Sequence, residues 1–246
     1  MAKSLAEWID QDVRPMRDRP LSWLSQHDFF RDPGRPVYGE PTVFFSPADG
    51  VILYQIEVGP GDPILDIKGQ PYCLRHALQD ADFSAPCLVI GIFMTFFDVH
   101  VNRVPYSGRL SYRHLDPIDT YNHPMLEVEK SLLADLNVSP DAAAYLHHNE
   151  RVVNRVHAPD LRQSYYILQV ADYDVDCITP FELKQNQPAR QGNRFSMIRY
   201  GSQVDLIVPL SACYDFQLIQ PTHWHVEAGV DPLIRIVERG VARAAI

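Results

Sequence analysis

The strongest constraint on the fold is a succession of short runs rich in branched and aromatic residues from residue 42 onward. "TVFF" at 42–45 and "VILYQIEV" at 51–58 flank "SPADG", a turn signal between two strands. Further runs of strand length lie at 87–96, 99–104, 151–157, 164–171, 195–200, 204–209, 214–219 and 233–238. The most apolar stretch, "CLVIGIFMTFF" at 87–97, is too short to cross a bilayer and reads as a core strand. Helical patterning is confined to 124–136, 140–149 and the N-terminal stretch 4–24, which is broken near Pro15 and Pro20. The expected fold is α+β, mainly β: a single compact strand-rich domain over 1–246, with N-terminal amphipathic helices forming an extension over 1–28.

Two placements are open for that extension. Leu5, Trp8, Ile9, Leu21, Trp23 and Leu24 form its apolar side. This side packs on the body of the protein, the preferred reading. Alternatively it enters a lipid interface, extended by Phe29 and Phe30, while Arg14, Arg17 and Arg19 meet phosphates.

Composition narrows the partners. A formal net charge of -9 argues against nucleic-acid binding, which normally shows a basic stripe. It also gives no general attraction to an anionic membrane. Cys73, Cys87, Cys177 and Cys213 are scattered, without a C-x-x-C pair, so neither zinc nor redox chemistry is signalled. With no secretory signal, the expectation is a cytoplasmic chain with reduced thiols, peripheral on a membrane at most. No metal site is expected. His223 and His225 in "THWHVEAG" would share a strand face, but no third ligand completes a site, and an exposed strand is preferred.

"RYGSQVD" at 199–205 places a Gly-Ser step where a strand should begin. Ser202 can be a plain turn residue. Alternatively, its hydroxyl attacks the carbonyl of Gly201 and shifts the acyl group from nitrogen to oxygen. Elimination then leaves dehydroalanine, which hydrolyses to a pyruvoyl group. Glycine suits the preceding position because it tolerates strained backbone and lets the attacking group approach. Such a serine needs a base and a carboxylate to orient that base. His100 in "FFDVHVNRVP" and Asp49 in "SPADG" are the candidates, although each alone is more often structural.

Taken together, these segments resemble the phosphatidylserine decarboxylase family, in its short bacterial and archaeal form. The resemblance rests on "FFRDPGRP" at 29–36, "SPADG" at 46–50, "IKG" at 67–69, "FMTFFDVHVNRVPYSG" at 93–108, "NER" at 149–151 and "GNRFSMIRYGSQVD" at 192–205, in that order. It implies self-cleavage between Gly201 and Ser202, with both fragments remaining associated. It also implies a covalent pyruvoyl cofactor formed from Ser202, whose ketone makes a Schiff base with the substrate amine and draws in the electrons released with carbon dioxide. Ser202, His100 and Asp49 are the implied catalytic residues.

Arg103 stands where many members of the family carry a second histidine. Its expected role is to bind the substrate's carboxylate or phosphate, with a structural ion pair equally open. Gln203 replaces the more usual Thr or Arg after the serine, and 109–148 resembles an insertion. The expected reaction is decarboxylation of phosphatidylserine to phosphatidylethanolamine. Two alternatives stay open: the same chemistry on a soluble amino acid, and an uncleaved, non-catalytic binding protein. A homodimer is among the expectations.

Overall fold

The computed structural model describes residues 1–28, 30–67, 69–116, 124–135, 143–172, 177–199 and 201–239. The chain opens with β1 (Lys3–Ser4) and α1 (Leu5–Trp8), then a wider helical turn over Ile9–Val13 and the short α2 (Leu21–Trp23). Ser4 caps α1 through a reciprocal bond with Glu7, a local signature of a helix start. The apolar side of this stretch faces inward: Leu5, Trp8, Val13 and Leu24 are all buried. This agrees with packing on the body and corrects the interfacial alternative for Trp8 and Leu24, because side chains already withdrawn from water have no apolar area to give a lipid surface. Phe29 lies outside the described residues. No described helix is long and apolar enough to cross a membrane.

The body follows as β2 (Val43–Phe45), β3 (Gly50–Val58), β4 (Pro63–Ile67), β5 (Gln70–Cys73), α3 (Leu74–Leu78), β6 (Cys87–Met94), β7 (Val101–Arg103), β8 (Gly108–His114), α4 (Leu126–Asp135), α5 (Tyr145–His148), β9 (Arg151–Ala158) and β10 (Gln163–Ala171). It closes with β11 (Ile178–Pro180), β12 (Gln187–Ala189), β13 (Arg194–Ile198), β14 (Ser202–Pro209), β15 (Tyr214–Leu218), β16 (Trp224–Val226) and β17 (Pro232–Glu238). Among the described residues, nine strands form one sheet in the order β1-β16-β3-β6-β14-β10-β9-β8-β12, with antiparallel neighbours. Smaller sheets, β11-β13-β7 and β15-β17-β2, and the pair β4-β5 complete the β structure.

The central sheet is buried on both faces, which explains the unbroken apolar reading of its middle strands. Every residue of β6 is buried. Along β14, Val204, Leu206 and Val208 enter one core cluster, while Ile207 enters the cluster on the other face. The period-2 alternation of a strand thus divides one sequence between two cores.

Several expectations shift. β14 begins at Ser202 rather than 204, because Ser202 and Gln203 pair with Met94 and Phe93. β8 lies within the segment that looked like an insertion, yet pairs with β9 over six residue pairs. Its alternation was hard to read because Arg109, Arg113 and His114 are exposed. The helix expected over 140–149 is described only as Tyr145–His148; residues 136–142 lie outside the description.

Candidate active site

Gly201 and Ser202 stand at the entrance to β14, where three strand ends come level. Val51 of β3 pairs with Phe93 of β6, and Phe93 pairs with Gln203 of β14. Asp49 therefore precedes β3 at the same end of the sheet at which Met94 ends β6 and Ser202 starts β14. β3 and β14 are two strand spacings apart, about 10 Å. Gly50 makes this turn feasible: at φ +150°, any Cβ there would fall 2.1 Å from the Phe93 carbonyl oxygen.

Ser202 is fully buried. Its hydroxyl donates to the Met94 thioether at 3.2 Å, a weak acceptor for a core serine. Asn102 reaches the same sulfur at 3.6 Å, receives a 2.6 Å bond from Gln169, and begins a buried polar chain that continues to Asn154. The space beside Gly201 is tight. The residue's φ is not in the left-handed region, but an added Cβ would stand 3.0 Å from Asp172 Oδ2.

His100 precedes β7, and its carbonyl accepts from Ile198 N at 3.1 Å, tying it to the strand that leads into Gly201. Its Nδ1 donates to the Asp98 carbonyl at 3.0 Å. That bond fixes the tautomer and leaves Nε2 as the basic nitrogen. The orienting role expected of Asp49 is thus filled at Nδ1 by main chain. Asp49 itself is held by Arg35 in a bidentate pair, 2.5 and 2.6 Å, and by Ala228 N at 2.7 Å. Burial raises the Asp49 pKa, and the Arg35 contacts act against that rise. Arg103 likewise has a carboxylate already: its guanidinium meets Asp32 at 2.9 Å and the Gly192 carbonyl at 3.1 Å. Asp32 also pairs with Arg194, so the "FFRDP" segment is clamped to β7 and β13.

Sequence reasoning missed His225. The preferred exposed-strand reading is corrected for this residue: His225 is buried, and its Nε2 meets Asp98 Oδ1 at 2.7 Å. Trp8 stacks on its ring with centroids 4.7 Å apart. Burial would raise the Asp98 pKa, but His225 and the hydrogen bonds from Thr95 outweigh it, and the net shift is downward. The residue holding His100 is therefore itself held by Thr95 and by a ring under the N-terminal helix. Strand alternation alone would put both histidines on one face; His223 escapes because it sits in the turn before β16, at φ 66°, and is exposed.

Two further features of this region were invisible in sequence. Gln203 is clamped on the face opposite Ser202: Tyr145 donates to its Oε1 at 2.5 Å, and its Nε2 donates to Asp205 at 2.6 Å and Tyr54 at 2.7 Å. Burial pushes the Asp205 carboxyl up to about 6. Glu129 of α4 accepts from Phe96 N at 3.1 Å, and burial, with Asp98 and Asp172 nearby, pushes its carboxyl up to about 8.

A pH dependence follows from Glu129. Unfolded, the carboxyl titrates near 4.3; folded, it keeps its proton to about 8. Between those values the folded state binds the extra proton, so stability falls as pH rises and the full loss stands above pH ~8. Glu129→Gln removes this loss. The variant should exceed wild type by a few kcal/mol at pH ~8.5 and match it near pH ~4, measured by urea midpoints across the range.

Comparison of the sequence with known proteins points to one family. A family model described as Phosphatidylserine decarboxylase covers residues 27–231. A phosphatidylserine decarboxylase proenzyme of Erythrobacter litoralis is 34% identical over 194 residues, 77% of this chain and 67% of that protein. A putative archaetidylserine decarboxylase proenzyme of Methanocaldococcus jannaschii is 29% identical over 183 residues, 74% of this chain and 77% of that protein. A proenzyme of Burkholderia cenocepacia, again named phosphatidylserine decarboxylase, is 28% identical over 184 residues, 75% and 68% of the two chains. The matched span runs from the clamped "FFRDP" segment, through the strand ends that meet at Ser202, to Asp231 before β17, and the chain belongs to the phosphatidylserine decarboxylase family.

Proposed function

We propose that this protein is a self-processing, pyruvoyl-dependent decarboxylase that converts phosphatidylserine to phosphatidylethanolamine and carbon dioxide. The observation that carries the reading is the setting of Gly201-Ser202: a buried serine with a weakly held hydroxyl, at the strand end where the loop carrying His100 and the turn carrying Asp49 also arrive.

Maturation uses the chain's own atoms. His100 takes the Ser202 proton as Oγ attacks the Gly201 carbonyl carbon. The Gly201-Ser202 amide bond breaks, an ester forms, and the Ser202 nitrogen is freed as an amine. Loss of a proton from Cα expels the Gly201 carboxylate and leaves dehydroalanine. Its imine tautomer takes up water and loses ammonia, giving the pyruvoyl group. The new Gly201 carboxylate arises beside Asp172, and like-charge repulsion favours its moving away from the site. The fragments stay together because β14 lies between β6 and β10, β16 between β1 and β3, and β17 between β15 and β2.

The group fits where Ser202 stands, since it is built from that residue and adds no bulk to a buried position. It supplies a ketone that takes the substrate amine and accepts the electrons released on decarboxylation. His100 is proposed to hold and return a proton at this end of the sheet. Asp49, through Arg35, fixes the turn beside it. Arg103 keeps "FFRDP" in place and would reach the substrate's carboxylate or phosphate only by exchanging Asp32. The lipid is proposed to be met peripherally, with Phe30, Val37 and Tyr38 exposed in one loop.

The test is release of carbon dioxide from processed protein, given phosphatidylserine in mixed micelles, archaetidylserine, or free amino acids. Turnover of either serine lipid with none of free serine is expected. Turnover of a free amino acid alone would replace the substrate, and none from any would leave a binding protein.

A further inference from the structure

A second site lies on the opposite face of the sheet from the Ser202 hydroxyl. A cleft of about 870 Å³ opens where β5, α3, α5 and the start of β9 meet. Two arginines, Arg75 and Arg151, line it with three histidines, His76, His147 and His148, and one carboxylate, Asp80, in a chain of net charge -9.

Arg151 is the unusual member. It is 2% exposed, and its Nη1 donates to the carbonyls of His76 at 3.2 Å and Leu146 at 3.5 Å. Its Nε and Nη2 make no close, well-aligned hydrogen bond among the described residues; the Tyr72 hydroxyl interacts with the guanidinium but, with its pKa raised by burial, brings no countercharge. No ion pair among the described residues involves Arg151 or Arg75, whereas the buried Arg35 and Arg103 both have carboxylates. Among the described residues, the Arg75 guanidinium donates through Nε, to the Phe83 carbonyl at 3.1 Å. Withdrawing a guanidinium from water without a countercharge is costly, and a bound anion offsets that cost. The planar fork of arginine suits a phosphate in particular.

The cleft also adjoins the processing site. Arg151 pairs with Val170, and Val170 with Gln203, so Arg151 is level with the residue after Ser202, two strands away. That is about 10 Å.

We propose that this cleft binds a phosphate-bearing anion through Arg75 and Arg151. Whether the phosphate is free or that of a lipid headgroup rests on the decarboxylase reading; anion binding does not. Calorimetric titration of the full Ser202→Ala chain with inorganic phosphate and with glycerophosphoserine tests it without any turnover, so failure of binding and failure of the catalytic reading are separate results. Saturable binding of at least one probe is expected, weakened tenfold or more by Arg75→Gln and by Arg151→Gln, and unchanged by Arg235→Gln. Tighter binding of the diester identifies a headgroup as the source; tighter binding of phosphate identifies the free anion; either sustains the site. Arg75 is exposed, so Arg75→Gln decides the matter if Arg151→Gln fails to fold. Absence of saturable binding by both probes, or an unchanged affinity in folded Arg75→Gln, overturns the proposal.

Discussion

Purified protein should run on a denaturing gel as two pieces, 1–201 and 202–246, and Ser202→Ala should run as one. The expected effect is complete, because alanine offers no oxygen to receive the Gly201 acyl group and no leaving group for the elimination. The smaller piece should be lighter than its sequence by one ammonia and should resist Edman degradation, since its first residue carries a ketone in place of an amine. Both pieces should co-elute under native conditions, since β14 and β16 lie between strands of 1–201 and β17 pairs with β2. Ser202→Ala should keep its fold, having lost only a 3.2 Å contact with a thioether, so its lack of cleavage would be chemical. A well-folded wild type that stays intact would end the self-processing reading.

His100→Ala should slow cleavage about 10²- to 10⁴-fold, the range typical of losing a positioned general base. The measurement is the rate at which fragments appear after synthesis of the chain in a cell-free system. Asp49 needs a paired experiment. Asp49→Asn leaves the buried Arg35 without its countercharge, which costs about 3–5 kcal/mol in stability whatever its role in cleavage. Arg35→Gln breaks the same pair from the other side. Equal slowing by both variants would make Asp49 a positioning residue acting through the turn. Slowing confined to Asp49→Asn would give its carboxylate a direct part. A His100→Ala chain that cleaves at the wild-type rate would remove His100 from the mechanism, and Asp98 with His225 would then be the next pair to vary.

Local pattern was enough for the class of fold. Alternating and continuous apolar runs mark β3, β6, β10, β14 and β17 to within a few residues, because a strand buried on one or both faces must be written that way. Short or edge elements escaped: β8 carries exposed charges, and β12 and β16 have three residues each, too few for a period to register. The candidate residues Gly201, Ser202, His100 and Asp49 were also legible, but through ordered segments resembling a family rather than through spacing. Nothing local distinguishes a cleavable Gly-Ser step from a turn.

The sequence by itself determined a mainly β chain, a net acidic composition and an inward-facing N-terminal helix as the preferred placement, while its resemblance to a family supplied the candidate residues at Gly201-Ser202. Only the tertiary structure decided who partners whom. Asp49 took Arg35, Arg103 took Asp32, and His100 took the Asp98 carbonyl, which is steadied from the far end of the chain by His225. Gln203, an odd residue in the motif, acquired three partners from β3, α5 and its own strand. The physical reason is the same throughout. Apolar periodicity is a local property, written where the strand is. A buried charge or amide must instead be satisfied by whatever group lies within about 3 Å of it once the sheet has formed, and in an antiparallel sheet that group can come from anywhere in the chain.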